Sequence, residues 1–143
     1  MTEKTLYLHI GLHKTGSSAL QTFFARNIDA LAAHGLCYPE GHTHGQAVAG
    51  HVTSGNATSL YHRLLEGRLV PTFEALLREV GEPPRMLLST EAFASLSREQ
   101  VEELLAVLSS TYRVRVICFV RDVYPLLWSG YGCLLYTSDA ADE

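Results

Sequence analysis

The residues best suited to chemistry lie in one stretch near the start of the chain, Thr5 to Leu20, with the sequence TLYLHIGLHKTGSSAL. Within it, Lys14 supplies a positive charge, and Thr15, Ser17 and Ser18 supply hydroxyl donors. Groups of this kind suit the binding of an anion, and phosphate is the anion most often held in this way. We therefore interpret the stretch as an anion-binding loop.

The elements around the loop would aim its donors at one point. Alternating side chains from Leu6 to Ile10 predict a short, mostly apolar strand. Gly11 ends this strand, Gly16 permits a backbone conformation that a side chain would block, and Ser17 and Ser18 are predicted N-cap residues of the next helix. Backbone N–H groups would then converge beside the positive end of a helix dipole. The simpler alternative is a Gly/Ser turn carrying a solvated lysine.

The order of residues in the loop differs from that of nucleoside-triphosphate-binding loops. Those loops have two glycines at the spacing of Gly11 and Gly16, then Lys, then a Ser or Thr whose hydroxyl binds Mg²⁺. Here Ser17 occupies the lysine position, and Lys14 precedes the second glycine by two residues. The order Lys-Thr-Gly-Ser-Ser resembles instead the 5′-phosphosulfate loop of sulfotransferases that use 3′-phosphoadenosine 5′-phosphosulfate.

A second candidate anion site follows the predicted strand Arg113 to Val120, whose apolar run is typical of a central parallel strand. Arg121 comes directly after this strand, and Ser129 lies about one turn inside the next predicted helix. Strand end and helix start would converge on one phosphate, which arginine can hold with paired, charge-assisted hydrogen bonds. Taken alone, the pattern is explained better by an ion pair of Arg121 with Asp122 or Glu91 and by no capping role for Ser129.

Together the two motifs resemble the nucleotide-binding motifs of the sulfotransferase family, over residues 5–131. The resemblance implies that the loop holds the 5′-phosphosulfate of the co-substrate and that Arg121 and Ser129 hold its 3′-phosphate, with no metal required. The loop residues that would bind the co-substrate are His13, Lys14, Thr15, Gly16, Ser17 and Ser18.

The resemblance also implies a reaction, the in-line transfer of a sulfuryl group to an acceptor hydroxyl or amine. Positioning and charge stabilisation would supply most of the rate, and Lys14 would neutralise the bridging oxygen as the nucleotide leaves. Glu91, at the end of the preceding predicted strand, is the candidate general base, with His44 and His51 as second choices. Glu91 could equally be a helix-start residue or an ion-pair partner of Arg121.

Strands and helices alternate along the chain, which predicts a parallel sheet with helices on both faces. The family resemblance makes this an α/β, three-layer, P-loop-NTPase-like sheet that is truncated. We expect the loop, Glu91 and Arg121 to share one edge, because the carboxyl ends of parallel strands meet there. The strands predicted after the first cover Leu36 to Tyr38, Arg85 to Thr90 and Arg113 to Val120.

Periodic apolar positions and capping residues place the helices. The first is predicted over residues 17–33, ending at His34-Gly35, and a long loop over residues 40–55. Two further helices end at Gly67 and Gly81, and a Ser97/Gln100 capping box starts another. The side chains predicted to be buried in these three helices are Leu60, Leu64, Leu65, Phe73, Leu76, Leu77, Val80, Val101, Leu104, Leu105 and Leu108.

Length and composition set further limits. The chain has 143 residues, of which 47% are hydrophobic, enough for one domain with a core. Its net charge of −4 gives no reason to expect a nucleic-acid partner. No signal peptide and no apolar run near the ~18 residues of a membrane span is present, so we expect a cytoplasmic protein. Cys37 and Cys118 are expected to be buried, reduced thiols rather than metal ligands.

The end of the chain, residues 133–143 with the sequence CLLYTSDAADE, resembles a translated sequencing adapter. We therefore divide the chain into a partial sulfotransferase domain, residues 1–132, and a non-native tail, residues 133–143. The natural reading frame would then be interrupted near Tyr131 or Gly132, and a fragment of this kind could be inactive.

Two other functions remain open from the sequence. One is a P-loop kinase that transfers phosphate from ATP to a small metabolite, which predicts a Mg²⁺ requirement and the Gly-Lys-Ser/Thr order that the loop lacks. The other is a non-catalytic module that binds a nucleotide or phosphate. For the sulfotransferase, the acceptor would be a carbohydrate, a lipid or a small molecule, because acceptor pockets follow no general sequence code.

Overall fold

The computed structural model describes residues 3–12, 14–42, 44–51, 53–129 and 131, and these form an α/β fold. Three parallel strands make one sheet in the order β2-β1-β3. His9, at the end of the central strand, lies opposite Ser89 and Ile117, so all three carboxyl ends meet at one edge. The strands are β1 (Thr5–His9), β2 (Arg85–Ser89) and β3 (Arg113–Ile117).

Helices fill the connections between the strands. Within the described ranges, none is both long and apolar enough to cross a bilayer. A short 3₁₀ helix, Glu91–Ser95, follows β2 directly, and residues 123–129 are helical. The α-helices are α1 (Ser17–Arg26), α2 (Ile28–Ala33), α3 (His44–Val48), α4 (Thr58–Leu65), α5 (Leu69–Val80) and α6 (Arg98–Ser109).

Alternate strand residues contribute to two separate apolar clusters. Leu8 belongs to the larger one, together with Phe73 of α5 and Leu108 of α6. Tyr7 packs with the smaller cluster, which includes Ala25 of α1. Because neighbouring strand residues point to opposite faces, both faces of the sheet carry apolar contacts. Each fully buried Leu or Phe stabilises the fold by about 1.5–3 kcal/mol.

The predicted helix boundaries are confirmed in the second half of the chain. Gly81 ends α5 with φ 71°, and its N–H donates to the Leu77 carbonyl at 3.0 Å. The capping box of α6 is present, since the Ser97 N–H donates to Gln100 Oε1 at 2.8 Å and the Gln100 N–H donates to Ser97 Oγ at 3.3 Å. Local capping chemistry therefore predicts these ends well.

Two predictions in the first half of the chain are wrong. The single helix over residues 17–33 is two helices, because Asn27 leaves the helical region with φ −123° and its Nδ2 donates to the Phe23 carbonyl at 2.7 Å. Asparagine competes for backbone hydrogen bonds in this way. Residues 40–55 are not a continuous loop, since α3 lies within them.

The predicted strands also need correction. Leu36 to Tyr38 forms only an isolated parallel bridge, Cys37 to Met86. The strand predicted to reach Val120 ends at Ile117 and pairs only with β1 in the described part of the chain, so it is an edge strand rather than a central one. Val120 is 79% exposed. An apolar run alone does not distinguish these two positions.

Several side chains predicted to be buried are exposed. Leu65 is 48% exposed because its neighbour Leu64 takes the buried face of α4, and Val101 is 37% exposed on α6. Cys118 is exposed and Cys37 only half-buried, so the expectation of two buried thiols is wrong. Burial raises the pKa of the Cys37 thiol. The proposed tail, residues 133–143, lies outside the described residues.

We expect Gly55→Ala to be strongly destabilising. Gly55 has φ 88°, and a Cβ there would lie 2.1 Å from the Ser89 carbonyl oxygen. Overlap and backbone strain together should lower the free energy of unfolding by more than ~2 kcal/mol. Gly67→Ala is the control, because Gly67 has φ 67° and nothing within 4 Å of the added atom, which leaves backbone strain alone. Urea denaturation measures both, and equal losses would contradict the close approach.

Candidate functional site

The anion-binding loop connects β1 to α1. The N-cap of α1 is Gly16, with φ 90° and ψ 11°, so the prediction that Ser17 and Ser18 cap the helix is wrong. The left-handed backbone conformation at this position explains why the N-cap residue is glycine, since only glycine adopts it without strain. Both serines lie in the first turn instead, and no side chain caps the helix. The Ala19 N–H already donates to the Gly16 carbonyl at 3.1 Å, which leaves the N–H groups of Ser17 and Ser18 for a ligand.

Lys14 has an unusual backbone conformation. Its φ is 64°, in the left-handed region that non-glycine residues seldom adopt. Gly16, two positions later, also has a positive φ, of 90°, so two left-handed residues flank Thr15. Strain of this sort persists only where surrounding contacts fix it, and it concentrates at functional sites.

The loop hydroxyls form a short chain of hydrogen bonds. Thr15 Oγ1 donates to the Leu12 carbonyl at 2.6 Å and lies 3.3 Å from Ser17 Oγ. Because the Thr15 proton is already used, Ser17 must be the donor between these two hydroxyls. Ser17 is 1% exposed and Ser18 is half-buried.

The structure brings Arg121 to the loop. Its Nη1 donates to the Lys14 carbonyl at 3.0 Å, which links the segment after β3 to the loop after β1. In the part of the chain that the structure describes, neither Lys14 nor Arg121 takes part in an ion pair. The contact is made to the Lys14 backbone carbonyl, and it brings a second cationic residue to the loop that carries Lys14.

Two other residues were predicted to bind the co-substrate, Ser129 and His13. Ser129 is half-buried in the helical residues 123–129, and no hydrogen bond among the described residues connects it to Arg121. His13 lies outside the described residues.

Glu91 lies at the same edge of the sheet. It begins the 3₁₀ helix after β2 and is half-buried, and Thr90 Oγ1 caps that helix by accepting from the Ala92 N–H at 3.3 Å. Burial lowers the pKa of His9, the last residue of β1, and the negative charge of Glu91 offsets part of this shift. The two second choices for the base differ: His44 lies 3.9 Å from a Glu40 oxygen, and His51 is exposed.

A buried polar network behind the loop was not predicted from the sequence. His9 is 2% exposed, its Nδ1 lies 2.8 Å from Ser89 Oγ, and Gln21 Nε2 donates to the same hydroxyl at 3.2 Å. Within the described residues, His9 Nε2 and Gln21 Oε1 are buried without a hydrogen-bond partner. The feature of the sequence that could have predicted this network is the presence of three polar residues at positions where the strand and helix patterns predict burial.

A large cavity away from the loop does not have the charge of a second anion site. It has a volume of about 750 Å³ and lies between α4, α5 and residues 40–42. Its two arginines, Arg63 and Arg68, both donate to the Glu66 carboxylate. Glu40 and Glu79 also line the cavity, so the carboxylates around it outnumber the guanidinium groups. No group of three or more His, Cys, Asp or Glu residues suited to a metal ion occurs in the described ranges.

Comparison with known proteins adds no assignment. No protein-family model, no curated protein and no solved structure matches the chain. A functional proposal therefore depends on the residues and the geometry described above.

The buried imidazole of His9 predicts a specific pH dependence of stability. Burial lowers the pKa of His9, with the Glu91 charge opposing this in part. The native state then binds a proton at His9 more weakly than the unfolded state, so stability falls as the pH drops below about 6.5, the ordinary imidazole value. We expect His9→Gln to lose less stability than the wild type between pH 7.5 and pH 5.5.

Urea denaturation at several pH values measures this difference. His34→Gln, which removes an exposed imidazole, is the control for the loss of one histidine. An unchanged pH dependence in His9→Gln would contradict the buried, neutral state of His9.

Proposed function

We propose that this chain is part of a sulfotransferase that uses 3′-phosphoadenosine 5′-phosphosulfate, with the loop after β1 as the 5′-phosphosulfate site. The observation that carries the proposal is the hydrogen bond from Arg121 Nη1 to the Lys14 carbonyl at 3.0 Å. It brings together the two motifs on which the family resemblance rests, although 107 positions separate them in the sequence.

The proposed fold is the three-layer arrangement of P-loop proteins. The parallel sheet supports it, as do the apolar clusters that contain residues from both faces of β1. The loop also follows the central strand of the described sheet, and ligands of such sheets bind beyond the carboxyl ends of the strands.

The proposed co-substrate would contact two sets of groups. The first N–H groups of α1, the Lys14 ammonium and the hydroxyls of Thr15, Ser17 and Ser18 would hold the 5′-phosphosulfate, with His13 at the start of the loop. Arg121 would hold the 3′-phosphate together with Ser129, which must then approach the guanidinium. One of the five guanidinium N–H groups of Arg121 is used on Lys14, and the fork of the others suits a phosphate.

The proposed reaction forms a bond from the acceptor oxygen or nitrogen to sulfur and breaks the bond from sulfur to the 5′-phosphate oxygen. The negative charge that develops on the leaving oxygen would be stabilised by Lys14 and by the start of α1. The acceptor proton would pass to the Glu91 carboxylate, which lies beyond the end of β2 at the same edge.

Two features favour this donor over ATP. The residue after Gly16 is Ser17 rather than the lysine that ATP-binding loops have at this position. A second anion site near Arg121 would bind the 3′-phosphate of this co-substrate, a group that ATP lacks.

Calorimetry on this chain tests the donor. We expect adenosine 3′,5′-bisphosphate to bind without metal, and ATP to bind more weakly with or without Mg²⁺. Lys14→Ala should weaken both bisphosphate and sulfate binding about tenfold to a hundredfold, the effect of losing a charged hydrogen bond. Arg121→Ala should weaken bisphosphate binding more than sulfate binding. Arg78→Ala, an exposed arginine on α5, is the matched control.

The outcomes separate the three functions. Mg²⁺-dependent binding of ATP that exceeds bisphosphate binding would favour the metabolite kinase and overturn the proposal. A donor with labelled sulfur should give labelled product with a panel of alcohols, carbohydrates and amines. Tight bisphosphate binding with no transfer to any of them would favour a non-catalytic binding module.

A further inference from the structure

Besides the loop itself, the buried His9 imidazole beneath it points to a ligand. His9 is 2% exposed, and its Nε2 is a buried polar atom without a partner among the described residues. A Cβ built on Gly11 would lie 3.0 Å from His9 Nε2 and 2.5 Å from Ser17 Oγ. The imidazole nitrogen and the serine hydroxyl therefore approach the same point, at the base of the loop.

The hydrogen bonds behind His9 decide which of its nitrogens carries the proton. Ser89 Oγ accepts from Gln21 Nε2, and Ser89 is fully buried, so its own proton also needs an acceptor. Within hydrogen-bond distance of Ser89 Oγ, His9 Nδ1 is that acceptor, at 2.8 Å. With Gln21 Nε2 as the donor to Ser89, the network places the proton of the neutral imidazole on Nε2, the nitrogen that faces the loop.

We propose that His9 is a positioning residue for the anion-binding loop, acting through the Ser17 hydroxyl. The proposal rests on the proposed anion site, and it adds a role for His9, Ser89 and Gln21. Without a ligand, Ser17 donates to Thr15, and His9 Nε2–H has no acceptor. When an anion binds, Ser17 turns its proton to the anion and presents a lone pair to His9 Nε2–H.

This arrangement makes a continuous chain of donors. Gln21 donates to Ser89, Ser89 to His9, His9 to Ser17, and Ser17 to the anion. Each donor in such a chain polarises the next, so the last hydroxyl becomes a stronger donor in a site shielded from water. A purely structural residue would not need an unpaired buried N–H group, which is costly, and a leucine would fill the space without it.

A double-mutant cycle with inorganic sulfate and adenosine 3′,5′-bisphosphate tests the proposal. We expect His9→Leu to weaken both ligands at least fivefold, and His9→Gln, which retains an N–H donor in that region, to restore part of the affinity. In a Ser17→Ala background, His9→Leu should have little further effect, because its action passes through the hydroxyl. Additive effects, or unchanged binding by His9→Leu, would overturn the proposal.

Imidazole ¹⁵N spectra of the wild-type chain keep the proposal testable should His9→Leu fail to fold. We expect a neutral Nε2–H form of His9, whose proton resonance moves downfield when the bisphosphate is added, while the exposed His34 shows no change. A proton on Nδ1, or an unmoved resonance with ligand bound, would refute the role proposed for His9 and would leave the proposed function unaffected. A wild-type chain that binds neither ligand would instead overturn the proposed function and this inference with it.

Discussion

Parallel pairing of β1 with both neighbours is the constraint on which the rest of the structure depends. The register that places His9 opposite Ser89 and Ile117 brings three strand ends to one edge. The loop, Glu91 and Arg121 are each the next feature along the chain after one of these ends. A slip of one residue would exchange the two faces of a strand, burying Tyr7 in the wrong cluster and separating His9 from Ser89.

The loop after β1 and the segment after β3 bring positive charge to this edge of the sheet. The start of α1 carries the positive end of its dipole, and Lys14 and Arg121 add two charges whose ion-pair partners are not found among the described residues. The Lys14 backbone is held in the left-handed region at a steric cost. Positive charge and backbone strain at the same loop are the features that support the proposed anion site, and Glu91 follows β2 at the same edge of the sheet.

Local sequence predicted the elements with strong local chemistry. The loop, the Gly81 end of α5 and the capping box of α6 follow from a few adjacent residues, and the meeting of Arg121 with the loop follows from parallel topology. The predictions that were wrong concern features that depend on tertiary structure. Glycine rather than serine caps α1 because the backbone there needs a positive φ, and the apolar run after Arg113 could not reveal whether a strand would lie between two others.

The His9–Ser89–Gln21 network shows why the remaining part of the site could not be predicted. Its members come from β1, β2 and α1, and His9 and Ser89 are 80 positions apart, so only the strand register brings them together. A core of apolar side chains would be at least as stable here, because a buried polar group gains little once its lost hydration is counted. We therefore infer that these three polar side chains serve to orient a donor beneath the proposed anion-binding loop, which apolar side chains could not do.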